Sequence, residues 1–425
     1  MLDPLATASV KVNMLPFASK VDPLDGIHEA RKGLIDKVLS GIPLSNEDSV
    51  NLAASSESEL VSICQAASII RNKGKGVDVT FSPKVFIPLT QLCKDFCGYC
   101  TFRETPSETS NLYMTQEEVL NLGIKGQSMG CTEALFTLGD RPEQRYPLAK
   151  SWLRNHGCVS TIQYLQNSCS LILNKTSMLP HSNPGILSRK QLQSLKLVNA
   201  SIGIMLETIS ERLTKSGMPH ARAPSKWPKV RLKTLNNAGS LKIPFTTGIL
   251  VGIGETRKER VEAILAIRES HRQHGHIQEV IVQNFRAKKN TLMFNHPNTS
   301  TEDLLWTVAM TRLVLGPNAN IQVPPNLNSS DYPLFLLAGI NDWGGVSPLT
   351  IDHVNPESPW PKLEELHQNT KSLGFNLKPR LPIYPEYIID RKPYLSENIR
   401  DRIQGLVDSA GYVKGGINRY VRGRN

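Results

Sequence analysis

Val85-Phe86-Ile87-Pro88-Leu89-Thr90-Gln91-Leu92-Cys93-Lys94-Asp95-Phe96-Cys97-Gly98-Tyr99-Cys100 is the stretch from which the fold can be read. Its first part, Val85 to Leu89, is a short apolar run rich in strand formers. Its last part replaces that run with three thiols at spacings of four and three. A strand that opens directly into a loop of metal-binding side chains is the pattern of an α/β protein whose chemistry sits at the C-terminal edge of its strands.

Working outward, the same rhythm continues for nearly three hundred residues. Strands are expected at Val85 to Leu89, Ala134 to Leu138, Ser201 to Leu206, Phe245 to Val251, Val280 to Asn284 and Ile321 to Val323, with a weaker one before His181. Amphipathic helices are expected between them at Gln116 to Met129, Trp152 to Leu173, Lys229 to Ala238, Arg257 to His274 and Thr301 to Leu315. Parallel strands joined by helical crossovers fit a (β/α) barrel or an open doubly wound sheet. The barrel is preferred because Gln91-Leu92-Cys93, Gly139-Asp140, Glu207-Thr208, Gly252-Ile253-Gly254-Glu255, Gln283-Asn284 and Pro324-Pro325-Asn326 all follow strand ends, as side chains of a shared barrel mouth would. The expected organisation is a helical N-terminal extension over 1–78, a TIM-type barrel over 79–378 and an irregular, partly disordered tail over 379–425. In the extension, Ser45-Asn46-Glu47-Asp48 reads as a helix start and Leu60 to Ile70 has helical spacing, broken by Lys73-Gly74-Lys75-Gly76.

The chain has seven cysteines, and three of them fall within eight residues. This is not a disulfide framework, and it suits a reducing compartment where thiolates are free to bind metal. Cys64, Cys131, Cys158 and Cys169 stand alone and read as small buried hydrophobes. A closed zinc site would need a fourth ligand, and no second Cys or His pair follows nearby. Ordinary iron–sulfur clusters use four cysteines, so three leave one iron free for an outside ligand. That is the requirement for binding S-adenosylmethionine (SAM) to a 4Fe-4S cluster and cleaving it reductively, with Cys93, Cys97 and Cys100 as the metal ligands.

The remaining candidates carry two readings each. Gly252 and Gly254, with Glu255, end a buried strand in a turn that allows close approach of a ligand such as SAM, or is only a tight turn. Gly139 and Glu143 make a similar case after the second strand. Tyr99 packs near the adenine or merely covers the cluster. Glu207 binds the ribose hydroxyls or the amino group of SAM, or meets an Arg, because a lone buried carboxylate is costly. His181, in Pro180-His181-Ser182-Asn183-Pro184-Gly185, is a proton-transfer group or a loop cap.

With 425 residues, 40% hydrophobic and 20% charged, the chain is long enough for one large barrel. No run of about 18 apolar residues suggests a membrane span. Residues 1–20 lack an apolar core and include Asp3, which argues against a secretory signal. Their scarcity of acids, with Thr7, Ser9 and Ser19, leaves organelle import open, the cytoplasm being the default. The net charge of +11 is spread along the chain, so a solvated basic surface is expected rather than a nucleic-acid face.

From Val85 to about Phe375 the sequence resembles the 7,8-didemethyl-8-hydroxy-5-deazariboflavin synthase subunit (CofG type), a radical SAM family. The resemblance is carried by Leu92 to Phe102, by Leu179-Pro180-His181-Ser182-Asn183-Pro184-Gly185, by Met205-Leu206-Glu207-Thr208, by Gly252-Ile253-Gly254-Glu255-Thr256, by His276 to Lys288, and by Asp342-Trp343-Gly344-Gly345-Val346-Ser347-Pro348-Leu349-Thr350. It implies a barrel lyase that closes a deazaflavin ring on a tyrosine–diaminouracil adduct and releases ammonia. It further implies a sister radical SAM subunit that makes the adduct, an electron donor of flavodoxin or ferredoxin type, and His181, Glu207 and Asp342 as catalytic candidates. The sister subunit itself and an RNA-modifying radical SAM enzyme are the alternatives, and a non-catalytic cluster protein is a third.

Overall fold

The computed structural model describes residues 22–421, so the expectations for residues 1–20 and for Arg422-Gly423-Arg424-Asn425 lie outside the described residues. Three helices open the described chain: α1 (Glu29–Leu39), α2 (Asn46–Leu52) and α3 (Leu60–Lys75). Ser45 starts α2 with a reciprocal capping box to Asp48. Helix α3 does not break at Lys73; it runs on to Lys75 and stops at Gly76, whose φ is 59°.

The strands that follow are β1 (Asp78–Thr90), β2 (Glu133–Leu138), β3 (Leu179–Asn183), β4 (Ser201–Gly203), β5 (Phe245–Val251), β6 (Ile277–Asn284), β7 (Ile321–Gln322), β8 (Asp342–Val346) and β9 (Asn376–Pro379). The first eight pair in parallel in chain order, and β1 closes the ring against both β2 and β8. The upper half of β1 pairs with β2 from Lys84 onward, while its lower half, Asp78 to Phe81, takes β9 as a ninth parallel neighbour. Helices α4 (Gln116–Ser128), α5 (Pro147–Asn155), α6 (Thr161–Lys175), α7 (Arg189–Lys196), α8 (Pro228–Ser240), α9 (Arg257–His274) and α10 (Thr301–Leu315) form most of the outer layer. The expected single helix from Trp152 to Leu173 is two helices, parted at Gly157 with φ 69° and restarted by the Ser160 cap.

Strand alternation explains both layers. Val85 and Ile87 on β1, Phe136 on β2 and Val280 and Val282 on β6 are buried toward the helices, which accounts for the apolar runs in the sequence. Their neighbours Lys84, Phe86, Glu133, Leu135, Thr137, Glu279, Ile281 and Gln283 point inward and line a cavity. A packed barrel would carry branched aliphatics there.

From residue 379 to 421 the C-terminal segment is folded rather than irregular. After β9, Arg380 enters the lower end of the barrel, where Leu381, Ile383, Tyr384 and Tyr387 are also buried. Short helices α11 (Leu334–Leu337), α12 (Leu363–Ser372), α13 (Pro385–Ile389) and α14 (Glu397–Gln404) complete the structure, and Tyr420 sets its ring edge-on to Phe81 at 5.8 Å. No helix among the described residues is long and apolar enough to cross a membrane.

Candidate active site: a cysteine loop over the barrel cavity

The thiol loop leaves β1 at Thr90 and is held on three sides by backbone hydrogen bonds. Lys94 N donates to Asp140 O at 3.0 Å, Phe96 N to Arg222 O at 2.9 Å and Gly98 N to Pro219 O at 2.8 Å. Met293 N donates to Gly98 O at 3.0 Å, bringing the loop after β6 over the same region. Gly139 is required by this closeness, since a Cβ there would lie 2.0 Å from Leu92 O. Arg103, Arg145 and Arg222 surround the Phe96 ring at 4.0, 4.1 and 4.8 Å.

Cys93, Cys97 and Cys100 all line one cavity of about 380 Å³ that descends into the barrel. Asp140 N donates to Cys93 Sγ at 3.2 Å, a contact that suits a thiolate held on a metal. Burial pushes the Cys93 thiol up to about 11 and raises Cys97 as well, with Lys226 opposing the shift at Cys97, so both sit as thiols until a metal takes their protons. No group of three or more His, Cys, Asp and Glu among the described residues converges on a single-ion position. Three thiols lining one cavity match the donor set of a cluster held by three thiolates with one iron left open. The other four cysteines are buried in the apolar core.

Glu207 lines the same cavity as the thiols, 6% exposed and held at a left-handed φ of 64°. Its backbone continues the ladder beside β5, with Glu207 N donating to Gly248 O at 2.9 Å. The carboxylate receives Lys226 Nζ and the Tyr99 hydroxyl, and meets His220 Nε2 at 3.1 Å. Burial alone would raise its pKa, but Lys226, His220 and Arg231 hold it well below the usual carboxylate range. Tyr99, two residues after Cys97, is thus tied to Glu207. His220 Nδ1 and both carboxylate oxygens of Asp140 are buried without hydrogen-bond partners among the described residues.

His181 lies lower in the cavity, on β3. Its Nδ1 meets Ser201 Oγ at 2.5 Å and its Nε2 meets Asn183 Oδ1 at 3.1 Å, so both ring nitrogens are engaged, and burial lowers its pKa. The floor is an ionic network. Arg380 donates to both oxygens of Asp342, at 2.6 and 2.9 Å, and to Glu279 Oε1 at 3.0 Å.

Four of the expected residues do not line the cavity with the thiols, and a fifth reaches it only through a neighbour. Glu143 receives Thr161 N and Thr161 Oγ1 at 3.2 and 2.6 Å, at the start of α6. Glu255 closes its own turn by accepting from Gly252 N and Ile253 N at 2.7 and 2.8 Å, and it pairs with Arg260 at 2.6 Å. Gly252 and Gly254 supply the positive φ that this turn needs, 93° and 104°. Asp342 acts on the cavity through Arg380.

Sequence reasoning placed Asp140 at the barrel mouth without a role and passed over Lys226, His220, Lys84 and Arg380 as site residues. Lys226 and His220 lie in a loop with no periodicity to mark them. Lys84 falls just before the expected strand start at Val85; the strand starts seven residues earlier, at Asp78.

Comparison with known proteins agrees with this geometry. Residues 87–267 match the Radical SAM superfamily. The chain is 50% identical over 336 residues to 7,8-didemethyl-8-hydroxy-5-deazariboflavin synthase of Methanopyrus kandleri, which covers 79% of this chain and 100% of that protein. It is 44% identical over 399 residues to FO synthase of Nocardia farcinica and 43% over 416 residues to that of Mycobacterium tuberculosis. These matches cover 91% and 94% of this chain but 46% and 49% of those proteins, so the chain spans about half the length of the FO synthases. Among solved structures, the FeFe-hydrogenase maturase HydG of Carboxydothermus hydrogenoformans has a TM-score of 0.67 at 18% identity, covering 93% of both chains. Methylornithine synthase has a TM-score of 0.63 at 17% identity, covering 81% of this chain and 97% of that one. At such identities the two structures speak for the barrel fold alone. With the cysteine loop, the closed barrel and 50% identity over 79% of the chain in agreement, the chain belongs to the 7,8-didemethyl-8-hydroxy-5-deazariboflavin synthase family of radical SAM proteins.

Proposed function

We propose that this chain converts the tyrosine–diaminouracil adduct, 5-amino-5-(4-hydroxybenzyl)-6-(D-ribitylimino)-5,6-dihydrouracil, into 7,8-didemethyl-8-hydroxy-5-deazariboflavin with release of ammonia. The observation that carries the reading is the thiol triad over a deep cavity with a polar interior, in a chain that is half identical, over 336 residues, to the whole of a deazariboflavin synthase. Cys93, Cys97 and Cys100 would hold the 4Fe-4S cluster. When bound, the cluster and SAM supply a one-electron cleavage whose organic radical removes hydrogen from the substrate.

The protein's own residues place and seclude the reactants. Tyr99, Gly139 and Glu207 border the upper cavity beside the thiols and face SAM in this reading, with Lys226 and His220 fixing the Glu207 carboxylate. Glu143 and the Gly252-Ile253-Gly254-Glu255 turn shape the loops around them. His181, Glu279 and Arg380 line the lower cavity, where the substrate would extend, and Asp342 orients Arg380. The adduct comes from a sister radical SAM subunit, on a second chain or in a further part of a longer one, and electrons come from a flavodoxin or ferredoxin type donor.

The test is anaerobic reconstitution with iron, sulfide, SAM, a reductant and the adduct. Fluorescent deazaflavin is expected from the wild type and none from Cys97→Ala. Product from that variant would refute the assignment of the triad.

A further inference from the structure

Lys84 is a buried cation in the cavity wall to which the reading above gives no task. It sits in the middle of β1, 7% exposed, and its side chain runs past Gly345 on β8. A Cβ at Gly345 would lie 2.2 Å from Lys84 Cδ and 2.7 Å from its Nζ, so the glycine leaves room for this lysine. Among the described residues the ammonium makes no hydrogen bond and no ion pair; its neighbours are aromatic faces, Trp360 at 4.6 Å and Phe86 at 5.3 Å from Nζ to ring centroid.

The carboxylates nearest to it are engaged elsewhere. Glu133, its register partner on β2, takes the Ser82 hydroxyl. Asp352 accepts from Asn326 Nδ2 and Asn355 Nδ2 at 3.0 and 2.9 Å, and Glu279 accepts from Arg380 and Thr246. Burial lowers the Lys84 pKa, with Glu133, Asp352 and Glu279 opposing the shift from a distance. Trp360 adds a second donor, since its Nε1 is buried with no acceptor among the described residues while the residue lines the same cavity. Unmatched buried donors are costly, and they persist where a ligand completes them.

Two unpaired donors beside two aromatic faces suit an aromatic ring that carries an oxygen acceptor. Resting on the function proposed above, we infer that Lys84, Trp360 and Phe86 form the subsite for the 4-hydroxybenzyl group of the substrate, Lys84 Nζ and Trp360 Nε1 donating to its phenol oxygen. The other parts of the adduct fit this wall less well. Its pyrimidine ring has a tetrahedral quaternary carbon and is not aromatic, and its ribityl chain is a flexible polyol.

The experiment measures equilibrium dissociation constants on the anaerobically reconstituted holoprotein for two ligands: the adduct, and its 5-benzyl analogue lacking the phenol hydroxyl. Wild type should hold the adduct about tenfold more tightly than the analogue, as expected for a hydrogen bond from a charged donor. Lys84→Met should lose about tenfold for the adduct and nothing for the analogue, which also verifies that the variant is folded. Trp360→Phe, which keeps a ring and drops the N–H, should lose about threefold for the adduct alone. Equal weakening of both ligands by Lys84→Met, or an unchanged preference for the hydroxyl, would overturn the subsite and leave the function standing. A wild-type holoprotein that binds neither ligand would overturn the function reading and the subsite with it.

Discussion

Arg380 faces two buried carboxylates at once, and a single guanidinium does not neutralise both. Asp342 takes the closer pair of contacts, while burial, with Asp342 and Glu133 nearby as like charges, pushes Glu279 up to about 7 against the pull of Arg380. The ordinary value for this carboxyl is 4.5, so between there and 7 the folded protein keeps a proton that the unfolded chain has lost. Stability therefore falls as pH rises through that window and stays lower above it. Glu279→Gln keeps a group of the same shape and removes the titration. Its stability relative to wild type should rise by about 1–3 kcal/mol from pH 5 to pH 8, read by urea unfolding at both values. A difference that stays flat with pH would mean that Glu279 is ionised in the fold. Arg380→Met removes the shared partner and leaves both carboxylates stranded, at a cost of about 3–5 kcal/mol, seen as a lowered Tm. Part of this residue-scale picture was legible in the sequence. Glu207 stood out as an acid at the end of an apolar strand, and it meets a cation, a lysine rather than the expected arginine. That cation, Lys226, lies 19 residues further on, and no local pattern pairs the two.

Helix α3 shows what a local reading misses at the scale of an element. Gly74 looks like a helix breaker, yet it lies inside the last turn, where a Cβ would come 2.2 Å from Pro317 O and 2.4 Å from Pro317 C. It is glycine because the chain following α10 passes against it. Helix propensity favours Gly74→Ala by roughly 1 kcal/mol, but the atoms in the way are backbone and do not swing aside. The variant should lose about 1–3 kcal/mol in urea unfolding, and a gain would show that the two segments separate easily. Two helices with caps written into the sequence were readable to the residue. Helix α9 runs from the Thr256–Glu259 capping box to Gly275 at φ 65°, and α10 from the Ser300 cap to Gly316. Strands β8 and β9 were not readable. Asp342-Trp343-Gly344-Gly345-Val346 and Asn376-Leu377-Lys378-Pro379 have the composition of loops and become strands by pairing, the first with β1 and β7 and the second with β1.

Across the whole molecule, the barrel sorts seven cysteines into two environments, and this sorting can be tested without any turnover. Cys64, Cys131, Cys158 and Cys169 are buried, and burial raises each thiol, Cys131 and Cys169 to about 12. Cys93, Cys97 and Cys100 are partly exposed on the cavity wall. Sequence alone foresaw this division from the spacing of the thiols, and it foresaw the barrel from the alternation of apolar strands and amphipathic helices. It did not foresee the polar interior, because inward charges such as Lys84 and Glu133 look like strand boundaries when only the outward apolar face is followed. Alkylation of the cluster-free protein under native conditions at pH 8.5 should therefore modify up to three residues, all within 93–100, while denatured protein takes up seven equivalents. After anaerobic reconstitution the native uptake should fall to none, since thiolates held on iron are not free nucleophiles. Peptide mass analysis reads out each position. Native labelling at Cys64 or Cys169 would show that the core opens, and labelling of the triad that persists in reconstituted protein with full iron content would place the iron elsewhere.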